Sequence, residues 1–308
     1  MFLGIEIGGT KLQLGLGRGD GKLAALWRGS VDPARGADGI REQIIEAMPL
    51  LLEQAKLARD RLKGVGVGFG GPVDDARQAV IKSHQIAGWD DFPLARWISE
   101  LLGLPAVLGN DADVAGLGEA RFGAGKGHAP VFYITIGSGI GGGLIIDGRI
   151  YRGAGKGASE IGHLRVCNGA GEHDIIEHLA SGWAIQQYAR QNADSWLLDA
   201  GHGDAESITA ENVAYLASRG HQLSRHILDR AWNALAEGIC QVIALTCPRR
   251  IVIGGGVALM GEKLLFNPLR QKVAERVFQP FADCYEIVPA DLGEEVVLHG
   301  ALALASGA

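Results

Sequence analysis

Long apolar runs, basic clusters and paired cysteines are all missing from this 308-residue chain. No apolar stretch approaches the ~20 residues that span a bilayer, so no membrane helix is expected. Lysine and arginine number 29 against 35 aspartates and glutamates, a net charge of −6. That balance, without a basic run, argues against a nucleic-acid partner. The four cysteines, Cys167, Cys240, Cys247 and Cys284, form no CxxC pair. They predict reduced thiols in a cytoplasmic protein, with Cys240, Cys247 and Cys284 buried. Glu6 and Lys11 interrupt the place where a signal peptide carries its apolar core, so no export signal is expected. Proline is scarce at 10 residues, and the absence of a Gly-X-Y period excludes collagen.

Glycine, by contrast, is plentiful: 47 residues, about 15% of the chain against a usual ~7%. Hydrophobic residues make up 47%, enough to bury a core and argue against disorder. Because glycine permits positive φ and close backbone approach to a ligand, its placement matters more than its number. Three clusters stand out: Gly8-Gly9-Thr10-Lys11, Gly137 to Gly143, and Gly254 to Gly256. The first lies between predicted strands at 2–7 and 11–16, and the second between strands at 131–136 and 144–147. Further strands are predicted at 65–69, 106–108, 250–253 and 285–289. Apolar spacing predicts a helix at 39–59, with Ile40, Ile44, Ala47 and Leu51 on one face. Other helices are predicted at 93–102, 112–121, 174–191, 209–219, 222–246, 260–277 and from 294. The alternation predicts an α/β protein of two related lobes. Residues 1–112 form the smaller, with 294–308 packing back on it, and residues 113–293 the larger.

Backbone N–H groups at glycine turns can converge on an anion. None of the clusters matches the P-loop pattern. The second contains G-x-G-x-x-G, but a strand follows where a dinucleotide fold wants a helix. A tight hairpin explains any one cluster; three at strand ends favour a nucleotide site. Asn110-Asp111 joins a predicted strand to a predicted helix. That is an N-cap position, and it also holds a carboxylate rigidly enough to take a proton from a substrate hydroxyl. Glu160, His163 and Glu177 offer two carboxylates and an imidazole to the hydroxyls of a small polyol, with a solvated surface as the plain alternative.

These segments together resemble the ROK family of sugar kinases and repressors over nearly the whole chain. Gly4-Ile5-Glu6-Ile7-Gly8-Gly9-Thr10-Lys11 is similar to the first phosphate motif, D-x-G-G-T-K. Gly71-Pro72-Val73-Asp74 resembles the G-P-V-D segment, and Gly88-Trp89 with Phe92-Pro93-Leu94 the sugar-side G-W-x-x-x-P-L. Asn110-Asp111-Ala112 matches N-D-A, and Glu160-Ile161-Gly162-His163 matches E-x-G-H. Residues 135–143 resemble the second phosphate motif, and Ile253-Gly254-Gly255-Gly256-Val257 the adenosine motif.

The resemblance implies a two-lobed actin/hexokinase-like, ribonuclease H-like ATPase fold closing on a cleft. It implies transfer of the γ-phosphate of ATP, with Mg carried by ATP, to a hexose hydroxyl. Glucose is the default acceptor; fructose, N-acetylmannosamine, N-acetylglucosamine and allose are the alternatives. Asp111 would be the base, with Gly71, Asn110, Glu160, His163 and Glu177 on the sugar side. Glu6, Gly8, Gly9, Thr10 and Lys11 would approach the phosphates with Gly137, Ser138 and Gly139. Gly254, Gly255 and Gly256 would lie under the adenosine. The implied partners are sugar and ATP, without nucleic acid or membrane, in a homo-oligomer (dimer or tetramer).

The chain also departs from the pattern. The family commonly follows E-x-G-H with C-x-C-G-x-x-G-C, which binds structural zinc. Here residues 164–174 keep only Cys167, so no structural zinc is expected. Glu6 stands for the usual Asp, Gln85 for a sugar-contacting Asn, Gly70 for a Pro and Asp113 for an Asn. Two other classes are weighed. A repressor would carry a helix-turn-helix before the kinase-like core, and this chain opens on the first phosphate strand. A sugar sensor that kept only the fold would have little need of Asp111.

Overall fold

The computed structural model describes residues 1–83, 85–167, 171 and 173–307. Phe2–Ile7 (β1) and Lys11–Gly17 (β2) pair antiparallel from Phe2↔Gly17 to Ile7↔Leu12. Leu23–Ser30 (β3) continues the meander on the outer side of β2. The sequence does not announce β3: its apolar residues do not alternate, and only Ala25 is buried. Gly36–Gln54 (α1) buries Ile40, Ile44, Ala47 and Leu51, the face that the spacing predicts. The helix ends before the expected residue 59 because the chain turns left-handed at Lys56, φ 50°.

Val65–Phe69 (β4) runs parallel to β1. A small hairpin of Val73–Asp74 (β5) and Ala79–Val80 (β6) follows, then Leu94–Leu102 (α2). Ala106–Asn110 (β7) runs parallel to β4 and leads directly into Asp111–Phe122 (α3). The first sheet has the order β3-β2-β1-β4-β7. Ile7, Phe69 and Asn110 are in register, so β1, β4 and β7 end side by side.

Val131–Ile136 (β8), Ile140–Ile146 (β9) and Arg149–Ile150 (β10) open the second sheet. Arg165–Cys167 (β11) and His173–Ile175 (β12) form a separate hairpin. Five helices come next: Glu177–Ala180 (α4), Gly182–Gln191 (α5), Ser195–Ala200 (α6), Ala210–Ser218 (α7) and Gln222–Thr246 (α8). Arg250–Gly254 (β13), Asn267–Ala274 (α9), Glu286–Pro289 (β14) and Val296–Ser306 (α10) complete the chain. The second sheet has the order β10-β9-β8-β13-β14.

Several expectations change here. The single helix at 174–191 is instead β12, α4 and α5. The break is at Ser181, which is extended (ψ 163°) and caps α5 by accepting from the Ala184 N–H at 3.1 Å. The helix at 260–277 begins as a π turn over Glu262–Phe266. Gly141–Gly143 lies inside β9 rather than in the turn before it; a Cβ on Gly143 would come within 3.0 Å of the Ala112 carbonyl. Cys240, Cys247 and Cys284 are half-buried rather than buried.

The chain divides into two compact units: Met1–Tyr133 with Gly143–Ser159 and Ala290–Ala308, and Ile134–Gly142 with Glu160–Pro289. This division differs from a first boundary after residue 112, because α3 packs with α10 in the first unit. The core of the first unit joins one sheet face to α1 and α2 through Leu14, Leu16, Ile44, Leu51 and Ile98. No helix among the described residues is long and apolar enough to cross a membrane.

Candidate active site

In the first unit, three strand ends and one helix start meet. The Gly8 N–H donates to the Lys11 carbonyl at 3.0 Å, closing the β1–β2 turn, and the Gly70 N–H donates to the Ile7 carbonyl at 2.8 Å. Asn110 caps α3: its side-chain oxygen accepts from the N–H groups of Ala112 (2.9 Å) and Asp113 (3.3 Å). Its amide nitrogen donates to the Gly71 carbonyl at 3.1 Å. Asp111 Oδ1 accepts from the Ala112 N–H at 2.8 Å, and a Cβ on Gly70 would stand 3.4 Å from Asp111 Oδ2. The carboxylate is therefore held beside the glycine turns at the carboxyl ends of parallel strands, where α/β sheets bind ligands.

Glu6 and Lys11 pair at 2.9 Å. Glu6 Oε2 is buried and lacks a hydrogen-bond partner among the described residues. Burial raises the Glu6 pKa; Lys11 opposes the rise, and Glu294 and Glu295 add to it. The unfolded chain thus loses this proton near pH ~4.3, while the folded chain keeps it to higher pH. Over that interval the folded state binds more protons, so stability falls as pH rises. Glu6→Gln is expected to remove that part of the slope in unfolding midpoints measured between pH 4 and 7. An unchanged slope would show that Glu6 does not carry it.

Gln85, placed by resemblance on the sugar side, packs over Gly9 so closely that a Cβ there would collide with its side chain. Gly9 has no left-handed φ, and the space a Cβ would take there is filled by the amide end of the flexible Gln85 side chain. His84 lies outside the described residues. Trp89 is fully buried, edge-on to Phe69 and Phe92 at 5.4 and 5.3 Å, so it supports this loop from beneath.

In the second unit, the ends of β8 and β13 meet. Gly255 has φ +87°, and a Cβ there would stand 2.5 Å from the Ile136 carbonyl. The Gly137 N–H donates to the Gly139 carbonyl at 2.9 Å, and the Gly137 carbonyl accepts from the Gly182 N–H at 2.8 Å. Gly137 to Gly139 and Gly254 to Gly256 therefore line one end of one sheet. Glu177 Oε2 accepts from the Ile140 N–H at 2.8 Å, and a Cβ on Gly139 would stand 2.5 Å from it. Glu177 thus holds the glycine turn, a role that spacing alone does not suggest.

Ile161–His163 is one 3-10 turn packed on Ile140, and it presents Glu160 and His163. Desolvation raises the Glu160 pKa, His163 lowers it, and Glu177 raises it, so the three predicted sugar-side groups are electrostatic neighbours. Cys167 faces His173 across the β11–β12 hairpin, and His178 Nδ1 bonds Asp174 at 3.0 Å. No group of three or more His, Cys, Asp or Glu among the described residues is arranged to hold a metal ion. Residues 168–170 and Glu172, part of the segment standing for the zinc loop, lie outside them.

The family model described as ROK family matches residues 2–308. A glucokinase of Thermotoga maritima is 30% identical over 98% of this chain and 96% of its own length. The crystal structure of a ROK family glucokinase from Streptomyces griseus, in complex with glucose and AMPPNP, is 31% identical with a TM-score of 0.80. That match covers 100% of this chain and 99% of the other. The fold is also similar to a ROK family transcriptional regulator, a homolog of the E. coli MLC protein. There the TM-score is 0.82 at 22% identity, over 98% of this chain and 77% of the other.

Proposed function

This chain belongs to the ROK family, and from that membership we propose that it is an ATP-dependent sugar kinase with glucose as its default acceptor. The observation that carries the reading is Asp111, fixed at the start of α3 beside Gly70 and the β1–β2 glycine turn. A carboxylate so placed takes the proton of the attacking sugar hydroxyl as that oxygen bonds to the γ-phosphorus and ADP leaves. Phosphoryl transfer relies mainly on positioning and charge neutralisation. Lys11 and the N–H groups of Gly9 and Thr10 are suited to these tasks, as are those of Ser138 and Gly139, while the Gly8 and Gly137 N–H groups close the turns that present them. Gly254, Gly255 and Gly256 leave the backbone bare for the adenosine. Asn110, Glu160 and His163 offer acceptors and donors to sugar hydroxyls.

MgATP is the co-substrate, and its metal shields the phosphate charge. The partnerless Oε2 of Glu6 is an acceptor suited to a hydrated cation. The same reading supports cytoplasmic action as a homo-oligomer, which sedimentation would measure.

An ADP-release assay over a panel of hexoses tests the reading: glucose should stimulate ATP turnover above the other sugars. If no sugar stimulates turnover, the kinase reading fails; if another hexose is best, only the glucose assignment falls. Glu177 gives a finer check. Its carboxylate holds the Ile140 N–H, and a hydrogen bond to a charged group contributes about 1.5–3 kcal/mol. Glu177→Ala removes that acceptor and should therefore raise the KM for ATP roughly tenfold or more. A change confined to the sugar KM would return Glu177 to a sugar-side role alone.

A further inference from the structure

A cavity of about 300 Å³ lies in the first unit, walled by α3, the β9–β10 turn and the end of α10. Arg121, Arg149 and Arg152 line it, with Leu117, Ile150 and Leu304 as apolar floor. None of these residues belongs to the motifs described above. Its shape is built. Asp147 and Gly148 have φ 50° and 71°, the left-handed pair of a tight hairpin turn. The Gly148 carbonyl accepts from Arg121 Nε at 3.2 Å and Nη2 at 2.8 Å, which ties that turn to the last helical turn of α3.

The charge in this cavity is unbalanced. Arg152 pairs with Asp75, while Arg121 and Arg149 have no ion pair among the described residues. The carbonyl end of α10 adds about half a negative charge. Two of the three guanidiniums thus line the cavity without a carboxylate partner among the described residues. Burial lowers the Arg121 pKa, and the charge of Arg149 lowers it further. Two like charges held together in this way are relieved by an anion between them. Guanidinium groups match phosphate oxygens in geometry as well as charge, and the volume is at the lower limit of small-molecule pockets, ~300 Å³.

We propose that Arg121, Arg149 and Arg152 form a second ligand site, apart from the glycine turns, that binds a small phosphate-bearing anion. The shared chemistry is a phosphate group, supplied either by a phosphorylated sugar or by free inorganic phosphate. The proposal goes beyond the kinase reading and does not depend on it.

Calorimetric titration of the full chain with inorganic phosphate, and separately with glucose 6-phosphate, tests it. Arg149 is exposed, so Arg149→Glu should keep the wild-type thermal midpoint and unliganded turnover. It should weaken the site about tenfold or more, with the milder Arg149→Ala in between. Binding of glucose 6-phosphate that is tighter than that of phosphate and is weakened by Arg149→Glu supports a phosphorylated sugar, and equal binding weakened likewise supports free phosphate. The proposal is overturned if wild type binds neither at millimolar concentration, or if both variants bind as wild type does. Because the readout is binding, the result stands apart from whether any sugar stimulates ATP turnover.

Discussion

Asp111→Ala should lower kcat by about 10²–10⁴-fold, the contribution of a positioned general base, while sugar binding stays within a few-fold of wild type. The expectation follows from the double hold on the start of α3. The Ala112 N–H donates both to Asn110 Oδ1 and to Asp111 Oδ1. Removing Asp111 therefore leaves that donor satisfied and the Asn110 cap in place, so the helix should not fray. Asp111→Asn keeps the shape and the acceptor but cannot take a proton, and it should lose as much activity as the alanine variant. Turnover and sugar affinity, read by stopped assay and calorimetry, separate the two effects. If either variant kept turnover within a few-fold, another group would be the base. If both lost sugar binding in proportion to turnover, Asp111 would be a ligand for the sugar rather than its base.

The half of each site built by short-range chemistry was legible in the sequence. Strand, glycine turn, strand is a local pattern, and Asn110-Asp111 ahead of an apolar stretch reads as a helix start wherever it occurs. The missed parts depend on contacts distant in sequence. Glu177 accepts from Ile140, thirty-seven positions away, and no periodicity in 174–191 announces the Ser181 break that aims it. Gln85 lies over Gly9 through a loop with no repeating pattern. β3 is an edge strand whose mixed burial erases its alternation. The β11–β12 hairpin occupies the segment where the family carries cysteines, and its pairing of Cys167 with His173 follows from strand register, which one sequence does not reveal.

Glycine is where sequence and structure diverge most, and it carries the second large expected effect. Beyond the clustered glycines, composition alone leaves ordinary turns to account for many of the dispersed ones. Several instead lie within regular elements at points of close approach. A Cβ on Gly300 of α10 would collide with the Val114 carbonyl of α3, and one on Gly66 of β4 with the Ala301 carbonyl. A Cβ on Gly118 of α3 would come within 2.7 Å of the Val296 carbonyl, and one on Gly4 of β1 within 3.1 Å of the Leu298 carbonyl. So α10 lies backbone to backbone on α3 and on the sheet, a distance that no larger residue permits. In an isolated helix Gly300→Ala would gain about 0.8–1 kcal/mol from propensity alone. Here the atom struck is main-chain oxygen, which has no rotamer to escape into, and overpacking costs ~1–3 kcal/mol or more. Gly300→Ala and Gly66→Ala should therefore each lower the unfolding free energy, read from the urea midpoint and slope, by an amount near or above the top of that range. Gly256→Ala provides the contrast, since a Cβ there meets nothing within 4 Å. It should leave the midpoint unchanged and, under the kinase reading, raise the KM for ATP. The same substitution would then separate glycines that serve packing from glycines that serve the nucleotide. A wild-type midpoint in Gly300→Ala would mean that α10 can shift away from α3 at little cost, and the close-packing account would fail.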